Sequence, residues 1–176
     1  MIDIDFLRKN IRTIPDFPRE GIQFKDITPV LSSFELCREV VKSLAEPFRN
    51  EGIDFVAGIE SRGFLFGVLL AQELKCGFTV IRKKGKLPAQ TIEQKYDLEY
   101  GSAIIEMHAD AIQPEQKVLI HDDLLATGGT ACAAAELIKD LQGILAGFSF
   151  VVELDFLNGR TRLQPYCTNI VSLVNY

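Results

Sequence analysis

The chain has 176 residues, 19 Lys and Arg against 24 Asp and Glu, and a formal net charge of −5. That length suits one domain with a substantial hydrophobic core, and 47% hydrophobic with 24% charged residues excludes a disordered or fibrous chain. The acidic balance argues against a general nucleic-acid or anionic-membrane partner.

Four cysteines, Cys37, Cys76, Cys132 and Cys167, lie far apart, and neither His108 nor His121 has ligand spacing to them. Reduced thiols in a cytoplasmic protein without structural zinc are expected. Met1 to Arg12 lacks a basic region followed by an apolar run, and no window approaches the roughly 18 continuous apolar residues of a membrane span.

Along the chain, Ile4, Leu7 and Ile11 recur at helical spacing and predict a short first helix. Pro15, Pro18, Gly21 and Pro29 then break residues 14–30 into loop and short strand. Ser32 with Glu35 reads as a capping box, opening a helix with Cys37, Val40, Val41, Leu44 and Phe48 on one face. Pro47 ends it, with Gly52 just beyond. Strands are expected at 53–59, 78–81, 118–120, 148–154 and 171–174, and helices at 62–75 and 130–141. Residues 96–107 read as two extended segments turning at Gly101 and Ser102. Such alternation predicts a mostly parallel sheet flanked by helices, with ligands beyond the carboxyl ends of its strands.

The strongest signal is the run Val118 to Thr130. An apolar strand ends in His121, Asp122 and Asp123, and the small turn Ala126, Thr127, Gly128, Gly129, Thr130 feeds a helix. Glycines let backbone N–H groups converge on an anion, aided by the threonine hydroxyls and the helix N-terminus. Neither a nucleoside-triphosphate loop nor a dinucleotide fingerprint is present. A monophosphate cradle beside paired carboxylates suits a phosphorylated sugar, with Asp122 and Asp123 accepting from ribose hydroxyls or acting on metal-bound water. His121 is expected to be a packed or hydrogen-bonded strand residue.

These residues resemble the type I phosphoribosyltransferase family. The matching pieces are Pro15 to Pro18, Gly21 to Leu31, Glu60 to Phe64, Arg82 to Pro88, Leu98 to Gly101, and Asp122 to Thr130. The resemblance implies an α/β type I phosphoribosyltransferase fold in a single domain, 1–176. It further implies a small N-terminal hood at about 1–32 and a mobile lid loop at about 82–99. The implied reaction is transfer of ribose 5-phosphate from 5-phosphoribosyl 1-diphosphate to N9 of adenine, giving AMP and diphosphate.

The resemblance also implies roles. Ser61, Arg62, Arg82, Lys83 and Lys86 would bind diphosphate, and Asp122, Asp123 and Ala126 to Thr130 the phosphoribosyl group. Gln23, Phe24, Lys25 and Leu154 would hold adenine. Glu99 would be the acid/base group near N9 or N7, acting with Arg62, and Tyr100 would pack the lid. Mg²⁺ is implied, held mainly through the substrate diphosphate and ribose hydroxyls with no dedicated protein ligand, and so is a homodimer. Taken alone, the basic run reads as a solvated loop and Glu99 as an exposed hairpin carboxylate. The rival readings are transfer to another purine or to a pyrimidine, and a non-catalytic sensor of phosphoribosyl ligands.

Overall fold

The computed structural model describes residues 2–97 and 101–176. Helix α1 (Ile4–Asn10) starts where the Asp3 side chain accepts from Asp5 and Phe6 N–H, and it buries Leu7 completely. Strands β1 (Arg12–Pro15) and β2 (Gln23–Asp26) then pair antiparallel as a separate two-stranded sheet. Asp26 is the tie of this region. It accepts from Arg12 Nε and Nη2 at 3.0 and 2.6 Å, and from Thr28 N and Oγ1 at 2.9 Å each. Those bonds start α2 (Thr28–Leu31), a short helix inside the stretch expected to be loop.

Helix α3 (Phe34–Ala45) corrects the capping assignment. Ser33, not Ser32, is its N-cap, accepting from Leu36 N at 3.3 Å, while Ser32 Oγ donates back to Thr28 O. The preceding α2 claims Ser32, so the next serine caps. Pro47 lies in a 3-10 turn that closes the helix, as its missing N–H requires.

The remaining elements alternate: β3 (Phe55–Ile59), α4 (Gly63–Leu74), β4 (Gly77–Lys83), β5 (Thr91–Asp97), β6 (Ser102–His108), β7 (Lys117–Leu125), α5 (Gly129–Asp140), β8 (Ile144–Glu153), α6 (Gly159–Leu163) and β9 (Ile170–Asn175). They form a seven-stranded sheet of order β5-β6-β4-β3-β7-β8-β9. The strands from β4 to β9 in that order pair in parallel, and β6 pairs antiparallel with both β4 and β5. Several strands outrun their sequence signal. β4 reaches through Arg82 and Lys83, β5 begins in the polar stretch at Thr91, and β7 carries Asp122 and Asp123 within it. Ladder hydrogen bonds keep these polar residues extended where composition suggests loop.

Period-two alternation divides the core into layers. Val56, Leu119 and Val151 face α3 and α4, whereas Ala57, Val118, Ile120, Phe148 and Phe150 face α5. His121 falls on the α4 side, fully buried, with Nδ1 2.9 Å from Ser149 Oγ. Burial pushes its pKa down to about 4, so it is a neutral packing residue at pH 7.

A buried carboxylate fixes the unexpected helix α6. Glu153, at the end of β8, accepts from Arg160 Nε and Nη2 at 2.9 and 2.6 Å and from Ser172 Oγ at 2.6 Å. Burial pushes the Glu153 pKa upward, but Arg160 and Ser172 outweigh it and hold the group below its usual value. Arg160→Ala is expected to cost about 2 kcal/mol at pH 7, less than the 3–5 kcal/mol of a fully buried pair because Arg160 is partly exposed. The depressed folded pKa makes the pair's contribution complete above about pH 4.5 and lost as pH falls through the folded value. Urea unfolding of both proteins should therefore show the difference shrinking below that pH.

Candidate active site

The parallel pairing of β3 with β7 sets Gly58 opposite His121, so the turns leaving both strands open at one end of the sheet. The turn after β3 is Glu60, Ser61 and Arg62, with a cis peptide between Glu60 and Ser61. Gly63 then begins α4 against β7, where a Cβ would stand 2.8 Å from His121 O and 3.0 Å from Asp122 Oδ1. Only glycine allows that approach. A cleft of about 390 Å³ results, lined by Glu60, Ser61, Arg62, Lys83, Tyr96, Asp122, Asp123, Ala126 and Thr130.

Arg62 Nε donates to Asp123 Oδ2 at 2.5 Å; the Asp123 side chain is 3% exposed and that of Arg62 46%. The guanidinium also stands 5.3 Å from the Phe24 ring centroid, which joins the N-terminal sheet to the cleft. Burial and the neighbouring Asp123 carboxylate push the Asp122 pKa well above the usual carboxylate range. Two carboxyl groups held this close favour a cation or hydroxyl donors between or beside them.

Beside the acids, Ala126 to Thr130 enclose a second hollow of about 80 Å³ at the N-terminus of α5. Gly128 has φ +81, a conformation that side chains resist, and it turns the chain so that the helix begins at Gly129. Residues outside the motif support this loop. A Cβ on Gly159 would overlap Ala126 O, and Arg162 Nη1 donates to Thr127 O at 3.2 Å. Sequence reading missed both. The only trace was a glycine after Asn158, indistinguishable there from an ordinary turn.

The basic run is more constrained than a solvated loop. Arg82 Nε and Nη2 donate to Glu60 at 3.1 and 3.4 Å, and Lys84 Nζ lies 2.7 Å from Glu93 Oε2. Of the cations expected at the diphosphate, Arg62 and Lys83 line the cleft, whereas Arg82 is committed to Glu60. Gln23, Phe24 and Lys25 lie together on β2, but the Lys25 ammonium turns to Thr13 Oγ1 and the Tyr176 ring. Leu154 follows β8 and packs against the α3–α4 core cluster, its N–H donating to Leu125 O at 3.0 Å. Glu99 and Tyr100 fall outside the described residues.

A family model described as a phosphoribosyl transferase domain matches residues 25–153. An adenine phosphoribosyltransferase of Cytophaga hutchinsonii is 52% identical over 97% of this chain and 94% of its own length. The chain belongs to the adenine phosphoribosyltransferase family. The adenine phosphoribosyltransferase structure of Rhodothermus marinus is 51% identical with a TM-score of 0.94, covering 98% of both chains. That of Saccharomyces cerevisiae, complexed with an imino-altritol bisphosphate and adenine, is 40% identical with a TM-score of 0.90, covering 97% of both. In this phosphoribosyltransferase, then, the parallel sheet expected from the sequence holds the acidic pair, the small-residue loop and Arg62 around one opening.

Gly159→Ala should push Ala126 and the loop out of register, because its Cβ has no space against backbone. The expected result is a loss of about a hundredfold in kcat/KM, with the far-ultraviolet circular dichroism of the parent retained. Full activity would show that α6 does not support the loop.

Proposed function

We propose that this chain transfers ribose 5-phosphate from 5-phosphoribosyl 1-diphosphate to N9 of adenine, giving AMP and diphosphate. The observation that carries the reading is the placement of Asp122, Asp123, the Ala126–Thr130 hollow and Arg62 around one sheet end. The specificity for adenine rests on near full-length identity to adenine phosphoribosyltransferases.

The 5′-phosphate is taken by backbone N–H groups and threonine hydroxyls of Ala126 to Thr130, where the N-terminus of α5 favours an anion. Ribose hydroxyls donate to Asp122 and Asp123. Ser61, Arg62, Lys83 and Lys86 meet the diphosphate, with Arg62 leaving its pair with Asp123 for the donor. Bond breaking at the anomeric carbon runs ahead of bond making, so catalysis consists of stabilising the departing charge and positioning N9. Phe24 covers one face of the base, the backbone of Gln23 and Lys25 reads its edge, and Leu154 supports the other face. Glu99 serves as the acid/base group, and Tyr100 packs a lid that closes over the donor to exclude water.

Among the described residues no group of three or more His, Cys, Asp or Glu could hold a metal ion. The acidic oxygens of the cleft nevertheless fit Mg²⁺, which binds through one or two carboxylates while substrate oxygens and waters complete its shell. Asp122 and Asp123 would hold it, and the ion would supply neutralisation of diphosphate charge. The homodimer rests on the family resemblance alone. The four cysteines are free, which suits the reducing cytoplasm.

Diphosphate release with Mg²⁺ tests the reaction, comparing adenine, hypoxanthine, guanine, xanthine and orotate as acceptors. Product with adenine is expected; product with another base and none with adenine would overturn the specificity. Arg62→Ala should lower kcat by about 10²–10³-fold, as loss of a preorganised donor does. Glu99→Gln should lower kcat without loss of fold, and unchanged turnover would remove Glu99 from the mechanism.

A further inference from the structure

The run Arg82 to Lys86 carries four cations in five residues, and carboxylates sort them. Arg82 is paired with Glu60 and Lys84 with Glu93. Among the described residues, the ammonium groups of Lys83 and Lys86 have no carboxylate oxygen within 4.0 Å. Lys83 lines the cleft, and Lys86 lies close enough to Glu60 to help lower its pKa.

The run ends in a tight turn, with Lys86 N donating to Lys83 O at 3.3 Å and Gly85 at φ +80. Glu106 holds this turn. It sits on β6 directly across from Arg82 and is 3% exposed. Its Oε1 accepts from Lys86 N and Leu87 N, both at 2.8 Å, while Arg82 Nη1 donates to Lys86 O at 3.0 Å. A buried carboxylate is costly unless its lone pairs are filled. This one takes two backbone N–H groups of the turn on Oε1, and it makes no ion pair among the described residues. An acid is otherwise out of place between Ile105 and Met107, both buried in the core.

We propose that Glu106 is a positioning residue of the donor site, fixing the Lys83–Leu87 turn so that Lys83 and Lys86 meet the diphosphate. The inference rests on the phosphoribosyl-transfer reading above, and it assigns Glu106 no contact with substrate. Carboxylate-to-backbone bonds are strong and directional, so losing both lets the turn drift while leaving the adenine side untouched.

Steady-state kinetics of Glu106→Leu and Glu106→Gln test this, together with calorimetric titration of inorganic diphosphate in the presence of Mg²⁺. Glu106→Leu should raise the donor KM and weaken diphosphate binding by about tenfold or more. The adenine KM should stay within about twofold; loss of folded enzyme would lower kcat and move neither KM. Glu106→Gln keeps an acceptor oxygen and should recover most of the loss. If Glu106→Leu does not fold, Glu106→Asp replaces it, its carboxylate one methylene short of the turn, with the same expectations. An unchanged donor KM, equal rises in both constants, or a Gln variant no better than Leu would overturn the proposal. Should the parent bind diphosphate but transfer nothing to adenine, the reaction fails and the titration alone judges Glu106.

Discussion

The parallel pairing of β3 with β7 is the constraint on which the site depends. It sets Ala57 beside Ile120 and Gly58 beside His121, so the turn after β3 leaves beside the acidic pair that β7 carries. From there Arg62 reaches Asp123, and Gly63 lets α4 start against the β7 backbone. A one-residue slip would turn Asp122 and Asp123 to the opposite layers and move the core residues of β7 with them. Apolar burial on both sides of the sheet therefore holds the polar site in register. No single polar contact has to do so.

Buried carboxylates organise the rest in a consistent way. Asp26 gathers Arg12 and Thr28, Glu153 gathers Arg160 and Ser172, and Glu106 gathers the backbone of the basic turn. Each is a nearly buried carboxylate at the border of a functional segment: the N-terminal sheet, the helix behind the phosphate loop, and the wall carrying Lys83. A buried acid with several donors has few alternative arrangements, which makes it a good anchor for loops that have little apolar surface of their own. The net charge of −5 reflects such anchors as well as the exterior, and it coexists with a basic wall beside the cleft.

Hydrophobic periodicity located the central strands and the three long helices, because burial on fixed faces leaves a repeating mark. It failed where other forces hold the chain. Polar residues 91–95 read as loop but are strand, since β6 supplies their hydrogen-bond partners. The short helix at Thr28 begins where Asp26 accepts from Thr28 N and Oγ1. The shift of the cap from Ser32 to Ser33 follows from that helix, which no residue pattern announced.

By itself the sequence determined the alternating α/β architecture and the acidic pair with its small-residue loop. These are local: glycine conformation, strand alternation and helix initiation act between near neighbours in the chain. Tertiary structure alone decided that Arg62 faces Asp123, 61 residues away, that Gly159 closes on Ala126, and that Arg82 is committed to Glu60. Those outcomes depend on which strands lie side by side and in what register, and strand order is set by the packing of whole layers. Charge composition counts side chains; only the fold decides which of them cancel and which remain to meet a ligand.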